Sequence, residues 1–247
     1  MKQIHLWGIK IDAVSCAEAV ELALSDCREQ PCWVVTPNAV MLDACRRDVS
    51  LKALLARADL SLPDGAGVLL AARRAGTPLA CRVAGIDFGE ALLARAEREG
   101  LRVFLLGGGE GVAQRAAASL LEIYPRLRIC GTYWGYFDQT GEEDRRLCEH
   151  LRLLRPDILL VCLGFPLQER WIDTHRSYLA GVRVIAGLGG SLDVWAGDTQ
   201  RAPRPLRALG MEWAWRMAHE PRRLRQIPAI MRTVLRAEGR GNAEKTR

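Results

Sequence analysis

Asp64 stands between Pro63 and Gly65, directly after the apolar run 60–62. Proline fixes the backbone there and glycine permits an unusual turn. A carboxylate held at such a point can take a proton from an attacking hydroxyl. It can equally cap a helix that begins near Ala66. Thr36 and Asn38 follow a second apolar run, 32–35, in the motif Thr36-Pro37-Asn38. Both can hydrogen-bond sugar hydroxyls or an acetamido group, and both suit a turn and N-cap before a helix over 39–57. Arg82 and Asp87 flank Gly85 in a short loop, 82–87. A guanidinium can grip a pyrophosphate with its fork, or pair with Asp87 and order the loop.

Three more loops have ligand-binding character. Gly107, Gly108, Gly109 and Gly111 follow the apolar run 103–106 and open a helical stretch. Backbone N–H groups at such a helix start can cradle phosphate, and a tight strand-to-helix turn uses the same residues. The run is not a dinucleotide fingerprint, since Val112 occupies the place of the third glycine. Gly164, Pro166, Gln168 and Glu169 follow the run 158–163. The Gln168 amide can both donate to and accept from a sugar or a base, and Glu169 suits a local cap or pair. Gly189 and Asp193 lie in the loop 187–193, whose glycines let a ligand approach the backbone. No Asp-x-Asp or His-Glu-x-x-His occurs, the four histidines are scattered, and none of the eight cysteines forms a Cys-x-x-Cys pair. The spacing therefore predicts no metal site and reduced, mostly buried thiols.

Strands that end at these loops must position the groups. Apolar runs at 32–35, 60–62, 103–106, 127–130, 158–163 and 182–188 alternate with helical stretches at 18–28, 39–57, 89–99, 111–124 and 141–154. That alternation predicts an α/β fold, a Rossmann-like, mainly parallel sheet with helices on both faces. Open sheets of this kind place chemistry beyond the carboxyl ends of their strands.

After Gly197 the pattern changes, so the sequence divides into a core, 1–197, and an appendage, 198–247. Pro203 and Pro205 interrupt the chain. Leu206, Leu209, Trp213 and Met217 then share one helical face, and Leu224, Ile227, Met231 and Leu235 form a second apolar stripe. Residues 201–240 hold 10 Arg and 3 Glu, net +7, whereas residues 1–200 hold 23 Lys and Arg and 25 Asp and Glu, net −2. The overall +6 thus belongs to the C-terminal fifth, which is suited to an anionic partner. The N-terminus lacks a signal-peptide h-region, and the longest apolar run is too short to cross a bilayer, so a cytoplasmic protein is expected. Residues 240–247 are the one stretch of disordered composition.

The motifs at 36–38, 63–65 and 82–87, with Gly164 to Glu169 and Arg201-Ala202-Pro203, closely resemble the WecG/TagA/CpsF glycosyltransferase family. The resemblance runs from about Trp7 to about Arg225. It implies an inverting transfer from a UDP-sugar to a polyprenyl-diphosphate-linked saccharide at the inner membrane face, in cell-surface polysaccharide synthesis. The sugar would be N-acetylmannosamine, its uronic acid or glucose. Asp64 is then the general base, with Thr36, Asn38 and Gln168 around the donor sugar. Arg82, Gly85, Asp87, Gly108, Gly109, Gly164, Pro166, Glu169, Gly189 and Asp193 would form the nucleotide-sugar pocket. Arg201, Arg216, Arg222, Arg223 and Arg225 would meet the acceptor diphosphate and an anionic membrane surface. No cofactor, metal or nucleic acid is expected, and a homo-oligomer is compatible with the family. Two other classes stay open on the residues alone: a dinucleotide-dependent oxidoreductase, from the glycine-rich turn, and a non-catalytic nucleic-acid or membrane-binding module, from the basic tail.

Overall fold

The structure is a computed structural model that describes residues 2–25, 29–203, 205–206, 212–219 and 221–237. Of residues 216, 219 and 221–223 it describes the backbone alone. Six parallel strands form the main sheet in the order β4-β3-β8-β7-β5-β6. They are β3 (Cys32–Val35), β4 (Leu60–Ser61), β5 (Arg102–Gly107), β6 (Arg128–Tyr133), β7 (Ile158–Cys162) and β8 (Val184–Gly187). Every residue of β3, β7 and β8 is buried, as a strand covered on both faces requires. The two side-chain sets of these strands feed two separate apolar layers, one containing Val34, Leu105 and Leu160, the other Trp33, Phe104 and Leu159.

All six strand positions agree with the sequence reading to within three residues at either end. The helices differ more. The helix expected over 39–57 is two, α2 (Ala39–Arg47) and α3 (Val49–Leu55). Asp48 breaks it: its backbone is extended, and its carboxylate caps the N–H groups of Ser50 and Leu51. Helix α1 (Cys16–Leu24) begins two residues earlier than expected because Ser15 and Glu18 form a capping box. Helix α5 (Gly85–Glu99) begins four residues earlier, so Gly85 and Asp87 lie in its first turn rather than in a loop. Helices α4 (Ala66–Arg74), α6 (Val112–Ile123), α7 (Glu142–Leu154), α8 (Leu167–His175) and α9 (Ser191–Trp195) complete the core.

An antiparallel hairpin of β1 (Gln3–Leu6) and β2 (Ile9–Asp12) precedes the sheet. The sequence reading did not contain it. Its turn is Trp7-Gly8, both with positive φ, the geometry of a two-residue hairpin loop. Asp12, fully buried, ties β2 to the sheet: its carboxylate accepts from the Ser61 N–H at 2.7 Å and from Gln3 Nε2 at 2.9 Å. Asp12→Ala strands the buried Ser61 N–H, and is expected to cost about 1–3 kcal/mol. A lower urea midpoint at unchanged slope checks this; an unshifted midpoint refutes it.

Beyond α9 the chain forms α10 (Glu212–His219), a 3₁₀ turn (Pro221–Gln226) and α11 (Ile227–Leu235). Helix α11 packs across α2 and α4. The expected stripe is open, with Leu224 in the 3₁₀ turn and Ile227, Met231 and Leu235 on α11, each residue about 40–50% exposed. The packed face is small and polar: Ala229 and Thr233, with the Thr233 hydroxyl donating to the Ala39 carbonyl at 2.7 Å. Arg232 closes the seam on Asp43, Nη2 to Oδ2 at 2.8 Å. Asp43 is buried in α2 and also meets Arg46 and Arg47. The Arg232 bond leads in holding its carboxyl below the usual range. Leu209 and the side chains of Arg216, Arg222 and Arg223 lie outside the described residues.

Candidate active site

One cleft of about 820 Å³ lies beyond the carboxyl ends of β3, β4, β7 and β8. Each strand delivers a loop to it: Asn38 after β3, Asp64 after β4, Gly164 and Phe165 after β7, and Leu188, Gly190 and Ser191 after β8. The entry to α5 adds Arg82, Ala84 and Gly85. Its other wall is the appendage, with Glu212, Trp213, Met217, Ile227, Ile230 and Val234. The floor therefore carries polar groups at strand ends, and the roof is mostly apolar.

Asp64 reaches this position through backbone ties. Its N–H donates to the Pro37 carbonyl at 3.0 Å, and the Val83 N–H donates to the Pro63 carbonyl at 2.9 Å. The loops after β3 and β4 and the entry to α5 are thus bonded to one another. Gly65 is the N-cap of α4, with φ 89° and ψ 151° and no side-chain cap. An L residue is strained there. The helix start is therefore made by Gly65, and Asp64 lies at the cleft wall one residue before it.

Asn38 does two things. Its Oδ1 caps α2, accepting from Val40 and Met41 N–H at 3.0 and 3.1 Å, and the residue also lines the cleft. The cap uses the oxygen, so the Nδ2 amide is the end offered to a ligand.

Thr36 and Gln168 are placed differently from the expectation of direct sugar contact. Neither is among the cleft-lining residues. Thr36 is buried below Gly85, and its hydroxyl donates to the Gly187 carbonyl at 3.2 Å. Gln168 is 3% exposed, with its Nε2 donating to Glu169 Oε1 at 2.8 Å and its Oε1 accepting from the Gly189 N–H at 3.0 Å. Glu169 is wholly buried, and burial pushes its carboxyl up to about 7 against the Gln168 bond. Pro166 precedes α8 after a cis peptide bond with Phe165.

Arg82 lines the cleft and pairs with Glu212 at 3.1 Å and Asp87 at 3.7 Å. Arg201 pairs with Asp87, with Glu90 at 3.5 Å and with Glu212 at 3.6 Å. Burial opposes the Arg201 charge, but the Asp87 bond and the nearby carboxylates hold its pKa above the ordinary value. Arg201 is thus a half-buried tie between α5 and α10. Its guanidinium faces these carboxylates rather than the open surface. Arg225 is exposed.

The glycine turn after β5 does not reach the cleft. A Cβ on Gly107 would sit 2.3 Å from the Cys162 carbonyl oxygen, and one on Gly108 would sit 2.6 Å from Val112. The Gly135 N–H donates to the Gly108 carbonyl at 2.8 Å. These glycines are required by packing, so their sequence pattern did not distinguish a phosphate cradle from a crowded turn. Asp193 lies in the first turn of α9, also outside the cleft lining.

The described cysteines are all unbridged, and Cys81 is exposed, unlike the buried majority expected. The sequence reading gave no individual role to Phe165, Glu212 or Ile230 and placed Met217 only on the apolar face of the appendage; the fold brings all four to the cleft. Glu212 had a signal, as the single acidic residue in the basic stretch 201–219.

A family model described as the Glycosyl transferase WecG/TagA/CpsF family matches residues 4–244. The chain belongs to this family. Relatives from Staphylococcus aureus strains MW2, NCTC 8325 / PS 47 and COL carry the name N-acetylglucosaminyldiphosphoundecaprenol N-acetyl-beta-D-mannosaminyltransferase. Each is 31% identical over 242 residues, covering 96% of this chain and 93% of the relative. The chain is therefore a glycosyltransferase, and the cleft that holds Asp64 is its candidate active site. Among the described residues no helix is long and apolar enough to cross a membrane.

Proposed function

We propose that this glycosyltransferase moves a sugar from a UDP-sugar to a saccharide carried on a polyprenyl diphosphate, with inversion, at the cytoplasmic face of the cell membrane. The observation that carries the reading is the convergence of Asp64, Asn38 and Arg82 on one cleft at the strand ends, in a chain of this family. Asp64 accepts the proton of the acceptor hydroxyl as its oxygen attacks the anomeric carbon. The bond from that carbon to the donor diphosphate breaks, and UDP leaves with the electron pair. Asn38 orients the donor through Nδ2, and Arg82 offers a cation to the diphosphate once its bond to Glu212 opens. The names of the relatives support N-acetylmannosamine as the sugar and N-acetylglucosaminyldiphosphoundecaprenol as the acceptor. The apolar roof suits the start of a polyprenyl chain, and the half-exposed Trp213, Leu224, Ile227, Met231 and Leu235 suit a membrane surface.

Against an oxidoreductase stands the glycine turn, which is not part of the cleft lining and has Val112 where a dinucleotide fingerprint needs its third glycine. The test is turnover of UDP-N-acetylmannosamine with a lipid-linked N-acetylglucosaminyl diphosphate. UDP release is expected with and without excess EDTA, since the sequence has no Asp-x-Asp pair to hold a metal between phosphates. Loss of turnover on chelation, restored by Mg²⁺ or Mn²⁺, refutes the metal-free mechanism. No UDP release under any condition refutes the assigned donor.

A further inference from the structure

Strand β8 lies between β3 and β7, and the turn that leaves it supplies Leu188, Gly190 and Ser191 to the cleft. Both neighbours hold that turn. From β3, the Thr36 hydroxyl bonds the Gly187 carbonyl. From the start of α8, Gln168 Oε1 bonds the Gly189 N–H. Gly187 has no side chain for a steric reason: a Cβ there would lie 2.8 Å from Gln168 Nε2. The Gln168 amide is therefore pressed against the strand end while it bonds the turn two residues on.

An amide in this place has two orientations, and one of them turns N–H groups toward the Gly189 N–H. The bond from Gln168 Nε2 to Glu169 Oε1 selects the other. Glu169 is wholly buried and does not line the cleft, and its Oε2 makes no hydrogen bond within the described structure. Burying a carboxyl without a full set of partners costs stability. Its place in the first turn of α8 and the N–H of its own residue favour the charge, but ligand contact does not account for its burial.

We infer that Glu169 is a positioning residue: by accepting from Gln168 Nε2 it fixes the amide orientation that holds the Gly187–Ser191 turn against the cleft. The inference rests on the proposed function for its effect on turnover, but not for its effect on the turn. Thr36 and Glu169 then act from opposite sides of β8, and neither needs to touch the substrate. A neutral acceptor suffices at Glu169, because burial raises its carboxyl to about 7 and a large share of it is already protonated near neutral pH.

The test uses the full chain with E169A, E169Q, Q168A and the Q168A/E169A double variant. Amide hydrogen exchange at Gly189 is read beside kcat, donor KM and Tm. E169A and Q168A are each expected to speed Gly189 exchange by about tenfold or more. Each should lower turnover by on the order of 10²-fold, with kcat falling more than donor KM rises, because the loss is one of alignment. E169Q restores most of both losses, since its carbonyl can accept from Gln168. The double variant is no worse than Q168A, as expected when one residue acts through the other.

Unchanged Gly189 exchange in E169A overturns the inference. So do losses that multiply in the double variant, or an E169Q as impaired as E169A. Should E169A fail to fold, Q168A against E169Q decides: fast Gly189 exchange in the first and slow in the second supports the inference, and any other pair refutes it. If the wild-type protein turns over no UDP-sugar, the proposed function fails and the exchange measurements still decide this one.

Discussion

Asp64→Asn is expected to lower sugar transfer by about 10²–10⁴-fold while UDP-sugar binding stays close to that of the wild type. The expectation follows from position. Asp64 is fixed by a backbone bond to Pro37, set before a glycine at φ 89°, and placed in the cleft wall beside Asn38 and Arg82. Asparagine keeps the size and most hydrogen-bonding reach of the side chain but cannot take up the acceptor's proton. Turnover at saturating donor and acceptor, alongside UDP-sugar binding by calorimetry, separates the two effects. A variant within a few-fold of wild type would remove Asp64 from the role of base. A variant that loses binding and turnover together would make it a ligand-holding group instead.

Truncation before Arg201 is expected to abolish transfer and to weaken binding to anionic vesicles, with the sheet still folded. The cleft loses one whole wall, including Glu212, Trp213, Met217 and Ile230. The six-stranded sheet loses none of its strands, and the contacts it gives up are Ala202, Ala229, Thr233 and Ala237 with the Arg232–Asp43, Arg82–Glu212 and Arg201–Asp87 pairs. The deleted part also carries the half-exposed Trp213, Leu224, Ile227, Met231 and Leu235 and the excess of arginine. Each arginine near an anionic surface contributes about 1 kcal/mol, and salt screens it. Vesicle sedimentation at low and high salt, with circular dichroism of the truncated chain, reads both halves of the claim. Undiminished sedimentation, or continued transfer to a lipid-linked acceptor, would contradict it.

The sheet was legible because its strands are short apolar runs closed by Pro and Gly, and a parallel strand buried on both faces leaves that signature whatever surrounds it. The residues of the cleft floor were legible for the same reason: Asn38 and Asp64 sit one loop beyond a strand. Thr36 and Gln168 were legible as polar residues at strand ends but not as ties. Their partners are backbone groups of Gly187 and Gly189, which carry no side-chain pattern and lie far off in sequence. The appendage misled in a different way. Its strongest apolar stripe stays half-exposed, with Ile227 and Met231 on the cleft, while Ala229 and Thr233, with little hydrophobic signal, form the packed face. The hairpin left a trace that went unread. Ile4, Leu6, Ile9 and Ile11 alternate inward about Trp7-Gly8, a turn in which both residues take positive φ.

That hairpin also covers an edge of the sheet. Strand β4 is the outer edge of the six-stranded sheet, and a bare edge offers N–H and C=O groups to any extended chain that arrives. This edge is only two residues long, is packed against β2, and has its Ser61 N–H taken up by Asp12. The first dozen residues thus act as a guard on the sheet. They cover the border of the sheet beside the loop that carries the candidate base, and so separate the exposure a catalytic loop needs from the exposure of a bare strand edge.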